Sequence, residues 1–330
     1  MEIIETNSDL SQLAKLKKGS VLTIGNFDGV HLGHGQILTA ARQTAMKRKR
    51  QFVVMTFEPH PLAVLFPEKA PGILTPLALK KHLLAEFGVD CLFVSKSTPE
   101  LLSLSPEDFV QRFLVENIQP NVVVEGESFN FGRGRDGSIQ TLEKLGTEKG
   151  FDVSVVEAKE VKLSTGQTVK VSSTIIRDLL ADGKVADAAV ALGRPYRLIG
   201  QVIPGKGKGK QLGFPTINMK PPQQLIPDEG VYAGFVEIGD SFEQVCRAKE
   251  KIPTAFSIGR AKTFISDHPL MVEAHILGQD PGDLHGKFLA MDFVEFIRHQ
   301  QKFNSPEQLS NQIAKDCKKA KEILATDFTD

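Results

Sequence analysis

Four short runs, Val21-Leu22-Thr23-Ile24, Phe52-Val53-Val54-Met55-Thr56-Phe57, Cys91-Leu92-Phe93-Val94 and Val122-Val123-Val124, are apolar or β-branched almost without interruption. A strand with one face in water alternates, whereas a continuous run fits a strand buried on both faces, as in a parallel sheet covered by helices. Helical patterns lie between the runs. The clearest begins at Ser105-Pro106-Glu107-Asp108, an N-cap with proline at the first helical position, and leads into Phe109, Val110, Phe113 and Leu114 at helical spacing. Alternation of this kind predicts an α/β domain with a doubly wound parallel sheet, whose ligands sit beyond the carboxyl ends of the strands.

Near Leu192-Gly193-Arg194-Pro195 the pattern changes. After helical stretches at about 174–180 and 185–192, β-rich segments at 198–203, 231–238, 270–277 and 288–297 follow one another without helices between them. That predicts a small antiparallel barrel or sandwich. Ser305-Pro306-Glu307-Gln308 then opens a closing helix whose apolar stripe is Leu309, Ile313, Ala320 and Leu324. The length of 330 residues suits two domains. With 40 basic and 40 acidic residues the net charge is zero, which argues against bulk electrostatic capture of nucleic acid or an anionic membrane. Three scattered cysteines form no disulfide or zinc framework, and no apolar run is long enough to span a membrane. These features lead us to expect a cytoplasmic protein; oligomeric state is not legible.

Two segments carry chemistry. Directly after the first apolar run comes Gly25-Asn26-Phe27-Asp28-Gly29-Val30-His31-Leu32-Gly33-His34, followed by a helical pattern at Ile37, Leu38, Ala41 and Ala45. A strand, a glycine turn and a helix N-terminus together present backbone N–H groups and a positive dipole end to a phosphate. His31 and His34 stand at that N-terminus, where imidazoles can donate to phosphate oxygens and a polyphosphate favours their protonated form. The second segment, from Gly193 to Lys220, holds Arg194, Arg197, Lys206, Lys208, Lys210 and Lys220 with no acidic residue. Its Gly205-Lys206-Gly207-Lys208-Gly209-Lys210 stretch lets backbone approach a polyphosphate while lysines neutralise it, although it is not a Walker A motif. On the alternating strand 270–276, Met271, Glu273 and His275 share one face.

The ten-residue string after the first run resembles the G-x-F-D-G-x-H-x-G-H signature of the nucleotidyltransferase superfamily, in the version found in prokaryotic bifunctional riboflavin kinase/FAD synthetases. Further strings resemble the same family in order. Ser172-Ser173-Thr174-Ile175-Ile176-Arg177 is similar to its second nucleotide motif, and Thr56-Phe57-Glu58-Pro59-His60-Pro61 with Phe66 to its flavin-side loop. Leu212-Gly213-Phe214-Pro215-Thr216-Ile217-Asn218 resembles the riboflavin kinase motif L-G-F-P-T-x-N. The resemblance implies a Rossmann-like nucleotidyltransferase domain over residues 1–190 and a riboflavin-kinase-like barrel with its closing helix over 191–330. It implies that riboflavin is phosphorylated by ATP to FMN in the barrel, and that FMN receives AMP from a second ATP, giving FAD and pyrophosphate, in the α/β domain. By the same resemblance Thr216 and Asn218 help to hold Mg²⁺, Glu273 is the base, His31, His34 and Arg177 stabilise charge, and Pro59, Pro61, Phe66, Ser128 and Phe129 face the flavin.

Four positions depart from the family pattern. Ser128 stands where Asp or Asn is usual, Ser257 and Lys262 replace the Asn and Pro of an N-I-G-x-x-P-T-F segment, and His285 stands where Tyr is usual. Two rival readings stand beside this one: an FMN adenylyltransferase with a degenerate kinase barrel, which Ser257 and Lys262 suggest, or a flavin- or nucleotide-binding regulatory protein without turnover.

Overall fold

The computed structural model describes residues 1–6, 10–205, 207–247, 250–260, 270–280, 282 and 284–326, the side chains of residues 208 and 326 excepted. It divides into two compact units, one of Met1–Pro71, Leu79–Val161 and Thr168–Val171, the other of Gly72–Ala78, Lys162–Gln167 and Ser172–Asp330.

In the first unit, strands β1 (Glu2–Thr6), β2 (Val21–Ile24), β3 (Phe52–Glu58), β4 (Cys91–Lys96), β5 (Val122–Gly126) and β6 (Asp152–Val156) form one sheet in the order β1-β4-β3-β2-β5-β6. Every pairing is parallel. The continuous apolar runs are the inner strands, and all four residues of β2 are buried. Helix α1 (Leu32–Arg48) lays Leu38, Ala41 and Ala45 into the core. Two short helices matter below, α2 (Pro61–Leu65) and α3 (Leu77–Glu86). The chain runs from β2 through α1 to β3 on one side, while β5 lies on the other, so the strand order reverses at β2. That is where an open α/β sheet presents its ligand crevice.

The helix expected after Ser105 begins as predicted, with the Ser105 hydroxyl accepting from the Asp108 N–H at 3.0 Å. It does not continue as an α-helix, because Val110–Ile118 is wound as a π-helix. The Asn117 side-chain amide donates to the Arg112 carbonyl at 2.6 Å, and Gln119, in the left-handed region, ends the wide turn with its backbone N–H on the Leu114 carbonyl five residues back at 2.7 Å. Phe109, Phe113, Leu114 and Ile118 still reach the core.

The second unit contains helices α4 (Ser173–Ala181) and α5 (Val185–Leu192) and a closed antiparallel barrel. Its strands are β7 (Tyr196–Ile203), β8 (Ile217–Met219), β9 (Gly230–Gly239), β10 (Ile252–Arg260), β11 (Leu270–Ile276) and β12 (Phe288–Arg298), ordered β7-β8-β11-β10-β9-β12. The closing helix α6 (Pro306–Thr326) packs Ala320 and Leu324 against Ala233, Phe235 and Ala255. Asp316 of α6, buried in the same face, takes a bidentate grip from Arg298 at 2.7–3.0 Å.

Arg197 corrects the charge reading. Counted in sequence with the basic, acid-free stretch, it sits in the barrel wall instead. Its guanidinium meets both oxygens of Asp292 on β12 at 2.8 and 2.6 Å, Glu237 on β9 at 2.9 Å and the Val245 carbonyl at 2.9 Å. Removing one partner from a buried ionic set costs roughly 3–5 kcal/mol, so Arg197 ties three strands together and belongs to no phosphate loop.

Candidate active site

The first site is built at the carboxyl end of β2. The turn from Gly25 to Val30 is tight enough that Phe27 (φ 45°), Gly29 (φ 90°) and Val30 (φ 40°) all adopt left-handed backbone. Such geometry is unfavourable for side-chain-bearing residues and persists only where packing fixes it. Phe27 supplies that packing, being 2 % exposed, with its ring edge-on to His34 at 5.2 Å between centroids. His31 is the N-cap of α1, and its Nδ1 accepts from the His34 N–H at 3.2 Å. That acceptance leaves the ring's own proton on Nε2, so His31 offers an N–H donor. The two rings stack with centroids 3.6 Å apart. Gly33 permits this, because a Cβ there would lie 3.2 Å from the His31 ring.

Asn26 links the turn to the loop after β3. Its side-chain amide lies 3.2 Å from Nε2 of His60, whose Nδ1 accepts from the Leu62 N–H at 3.2 Å. A neutral imidazole carries one N–H, so Nε2 is the donor and the amide oxygen of Asn26 is its natural partner. The other amide position is buried without a partner among the described residues. The amide NH₂ in that position is suited to an anion in the turn.

Two ionisable residues escaped the sequence reading. Lys80 on α3 is only 5 % exposed. Burial lowers its ammonium pKa, opposed by the charges of Asp28, itself buried in the turn, and of Glu58 at the end of β3. Glu125 ends the apolar run of β5, and its carboxyl accepts from the Ile24 N–H at 2.6 Å and the Thr23 hydroxyl at 3.3 Å. An acid closing Val122-Val123-Val124 was the available signal for it.

The residues expected at the flavin are arranged around the same strand ends. Pro59 follows a cis peptide bond, and its carbonyl accepts from the Ser97 hydroxyl at 2.6 Å. Pro61 opens α2, and Phe66 at its end is 55 % exposed. Past β5, Ser128 is exposed, while Phe129 stacks on Phe131 at 5.5 Å and packs against the core. Ser172, Ser173, Thr174 and Arg177 belong to the second unit. There the Ser172 hydroxyl caps α4 by accepting from the Ile175 N–H at 3.3 Å, and Arg177 Nε donates to the Gly72 carbonyl at 2.8 Å.

The second site lies on the barrel. Asn218 of β8, Glu273 of β11 and Ser257 of β10 are direct cross-strand neighbours, forming one row. Glu273 is hydrogen-bonded to the Thr216 hydroxyl, and burial raises its carboxyl pKa against the effect of that bond. Two residues along, His275 Nδ1 donates to the Pro215 carbonyl at 2.8 Å, fixing the segment that carries Thr216. Gly205 fits against these groups: a Cβ there would collide with the Asn218 amide. Gly207 and Lys210 are exposed in that loop, whereas Lys206, the side chain of Lys208 and Lys262 lie outside the described residues. Ser257 is held by Gln300, whose amide donates to its hydroxyl at 3.0 Å. Thr216 and Asn218 offer the oxygen donors that a hard divalent cation prefers, in a cradle only glycine could line. Among the described residues no cluster of three or more His, Cys, Asp or Glu is placed to hold a metal.

Comparison with known proteins identifies the family of each half of the chain. The sequence model of the FAD synthetase family matches residues 13–175, and that of the riboflavin kinase family matches residues 192–324. A bifunctional riboflavin kinase/FMN adenylyltransferase of Escherichia coli (strain K12) is 35% identical over 328 residues, 99% of this chain and 98% of that relative. One from Bacillus subtilis (strain 168) is 33% identical over 308 residues, covering 91% of each chain. A crystal structure from Streptococcus pneumoniae, titled a macrolide-efflux protein, superposes with a TM-score of 0.80 at 26% identity over 96% of this chain and 97% of its own. Among the described residues, no helix here is long and apolar enough to cross a membrane. With both halves matched in order and at nearly full length, the chain belongs to the bifunctional riboflavin kinase/FMN adenylyltransferase family.

Proposed function

We propose that the family's two ATP-dependent reactions are divided between the two sites described above. The observation that carries this reading is the pair of separately built constellations: the stacked histidines at a glycine turn in one unit, and the Asn218-Glu273-Ser257 row with Thr216 in the other.

On the barrel, Glu273 accepts the proton of the terminal ribityl hydroxyl of riboflavin as that oxygen attacks the γ-phosphorus of ATP, giving FMN and ADP. A carboxyl held above its ordinary pKa is a better proton acceptor for an alcohol, and burial supplies that shift. Thr216 and Asn218 would hold Mg²⁺, which when bound neutralises charge on the phosphates. Gly205 and Gly209 approach Asn218 and Thr216 closely and leave space there for the polyphosphate.

At the glycine turn, a phosphate oxygen of FMN attacks the α-phosphorus of a second ATP. The bond to the β-phosphate breaks, and FAD and pyrophosphate leave. No protein nucleophile is required. His31 donates from Nε2, and His34 and the Asn26 amide present further donors, so the turn stabilises developing charge without reorganising. Arg177 and the Ser172-Ser173-Thr174 segment are assigned to the nucleotide by the family resemblance alone, and Pro59, Pro61, Phe66 and Phe129 offer flat apolar surface to the flavin ring.

The purified protein given riboflavin, ATP and Mg²⁺ is expected to form FMN and then FAD, resolved by chromatography. The same protein given FMN in place of riboflavin is expected to form FAD and pyrophosphate. FAD from FMN without any FMN from riboflavin would leave only the adenylyltransferase, with Ser257 and the Lys262 segment marking a degenerate barrel. Binding of both flavins with no product would leave a regulatory protein.

A further inference from the structure

The pairing between β2 and its two neighbours is unequal. Against β3 it runs the full strand, from Val21 opposite Phe52 to Ile24 opposite Met55. Against β5 it ends after Leu22 opposite Val123, although β5 itself continues beside β6 as far as Gly126 opposite Val156. From that point β2 and β5 part, which is what opens a crevice at the reversal of strand order. The parting creates a problem for the backbone. The Gly25 N–H turns toward β3 and donates to the Met55 carbonyl at 3.0 Å, but the Ile24 N–H faces the side where the ladder has stopped. A buried N–H without a partner is strongly unfavourable.

We propose that Glu125 is a positioning residue for adenylyl transfer, its side chain replacing the missing ladder partner of Ile24 and so holding the base of the phosphate turn where β2 and β5 separate. Its carboxyl accepts the Ile24 N–H at 2.6 Å and the Thr23 hydroxyl at 3.3 Å, and the residue is only 2 % exposed. Ile24 is the residue immediately before Gly25, so any shift of its backbone passes directly to the turn containing Asn26 and Phe27. A valine like its three predecessors would fill the strand but leave that N–H bare. Burial also pushes the carboxyl well above its usual pKa, despite the two hydrogen bonds it accepts. A shift in that direction works against negative charge beneath a polyphosphate.

The inference rests on the adenylyl-transfer reading of the turn, and its test separates the two. Glu125→Gln keeps an accepting oxygen and no charge, whereas Glu125→Leu keeps bulk and removes the acceptor. With supplied FMN, Glu125→Gln is expected to form FAD within about twofold of the parent. Glu125→Leu is expected to lose roughly tenfold or more in kcat, beyond any rise in KM for ATP, because the turn is misplaced in the transition state. Riboflavin phosphorylation by the same preparations is expected to be unchanged. Glu125→Leu with the parent's kcat, or Glu125→Gln as impaired as Glu125→Leu, overturns the inference; a parent that forms no FAD overturns the functional reading instead. Should Glu125→Leu fail to fold, the smaller lesion Glu125→Ala is expected to exchange the Ile24 amide hydrogen at least about tenfold faster than the parent. Unchanged exchange there counts against the inference equally.

Discussion

Changing His31 and His34 together to alanine is expected to lower FAD formation by about a hundredfold or more, while FMN accumulates from riboflavin at the parent's rate. The size follows from what the pair provides. Removing one preorganised donor from a site of developing charge costs roughly 100- to 1,000-fold in rate, and here both stacked rings go. Folding is expected to survive. Loss of the His31 cap removes about 1 kcal/mol of helix stabilisation, and Phe27 still anchors the turn from a buried position. The measurement is chromatography of flavins after incubation with riboflavin and ATP, alongside a thermal melt. Loss of both products in parallel would mean that the histidines do not belong to one reaction alone.

Glu273→Gln has the opposite signature. Riboflavin phosphorylation is expected to fall by roughly 100- to 10,000-fold, the usual contribution of a positioned general base, and FAD formation from supplied FMN to remain intact. Glutamine keeps the volume and can still bond the Thr216 hydroxyl, so the row from Asn218 to Ser257 is preserved and only proton acceptance is lost. A kinase rate within a few-fold of the parent would remove Glu273 from the chemistry and leave it as a strand glutamate that orients Thr216.

The parts of this architecture legible in the sequence are those governed by local pattern. The buried inner strands announced themselves because parallel pairing with both faces covered requires uninterrupted apolar residues. The outer strands Glu2–Thr6 and Asp152–Val156 did not, since half-exposed edges carry a weak pattern. Strand β8 was hidden inside the L-G-F-P-T-x-N string, being three residues long. The π-wound segment reads as an ordinary helix because its apolar spacing is nearly the same.

Pairings between residues distant in sequence were illegible for a different reason. Arg197 looked like one more cation of a basic stretch, because its acids arrive from positions 237 and 292 by barrel closure. The bond between Asn26 and His60 and the brace from Glu125 to Ile24 likewise depend on which strand ends the topology brings together. The histidine pair and Glu273 were singled out through motif context; their stacking and hydrogen-bond partners came from the fold.

The central claim is that two separate sites carry the two reactions, and mixing the two variants tests it most directly. The His31→Ala/His34→Ala protein and the Glu273→Gln protein are each expected to make almost no FAD from riboflavin and ATP. Combined in one tube they are expected to restore it, because FMN released by the first is adenylylated by the second. A mixture that remains without FAD, although each variant retains its own half-reaction, would contradict two independent sites that exchange FMN through solution.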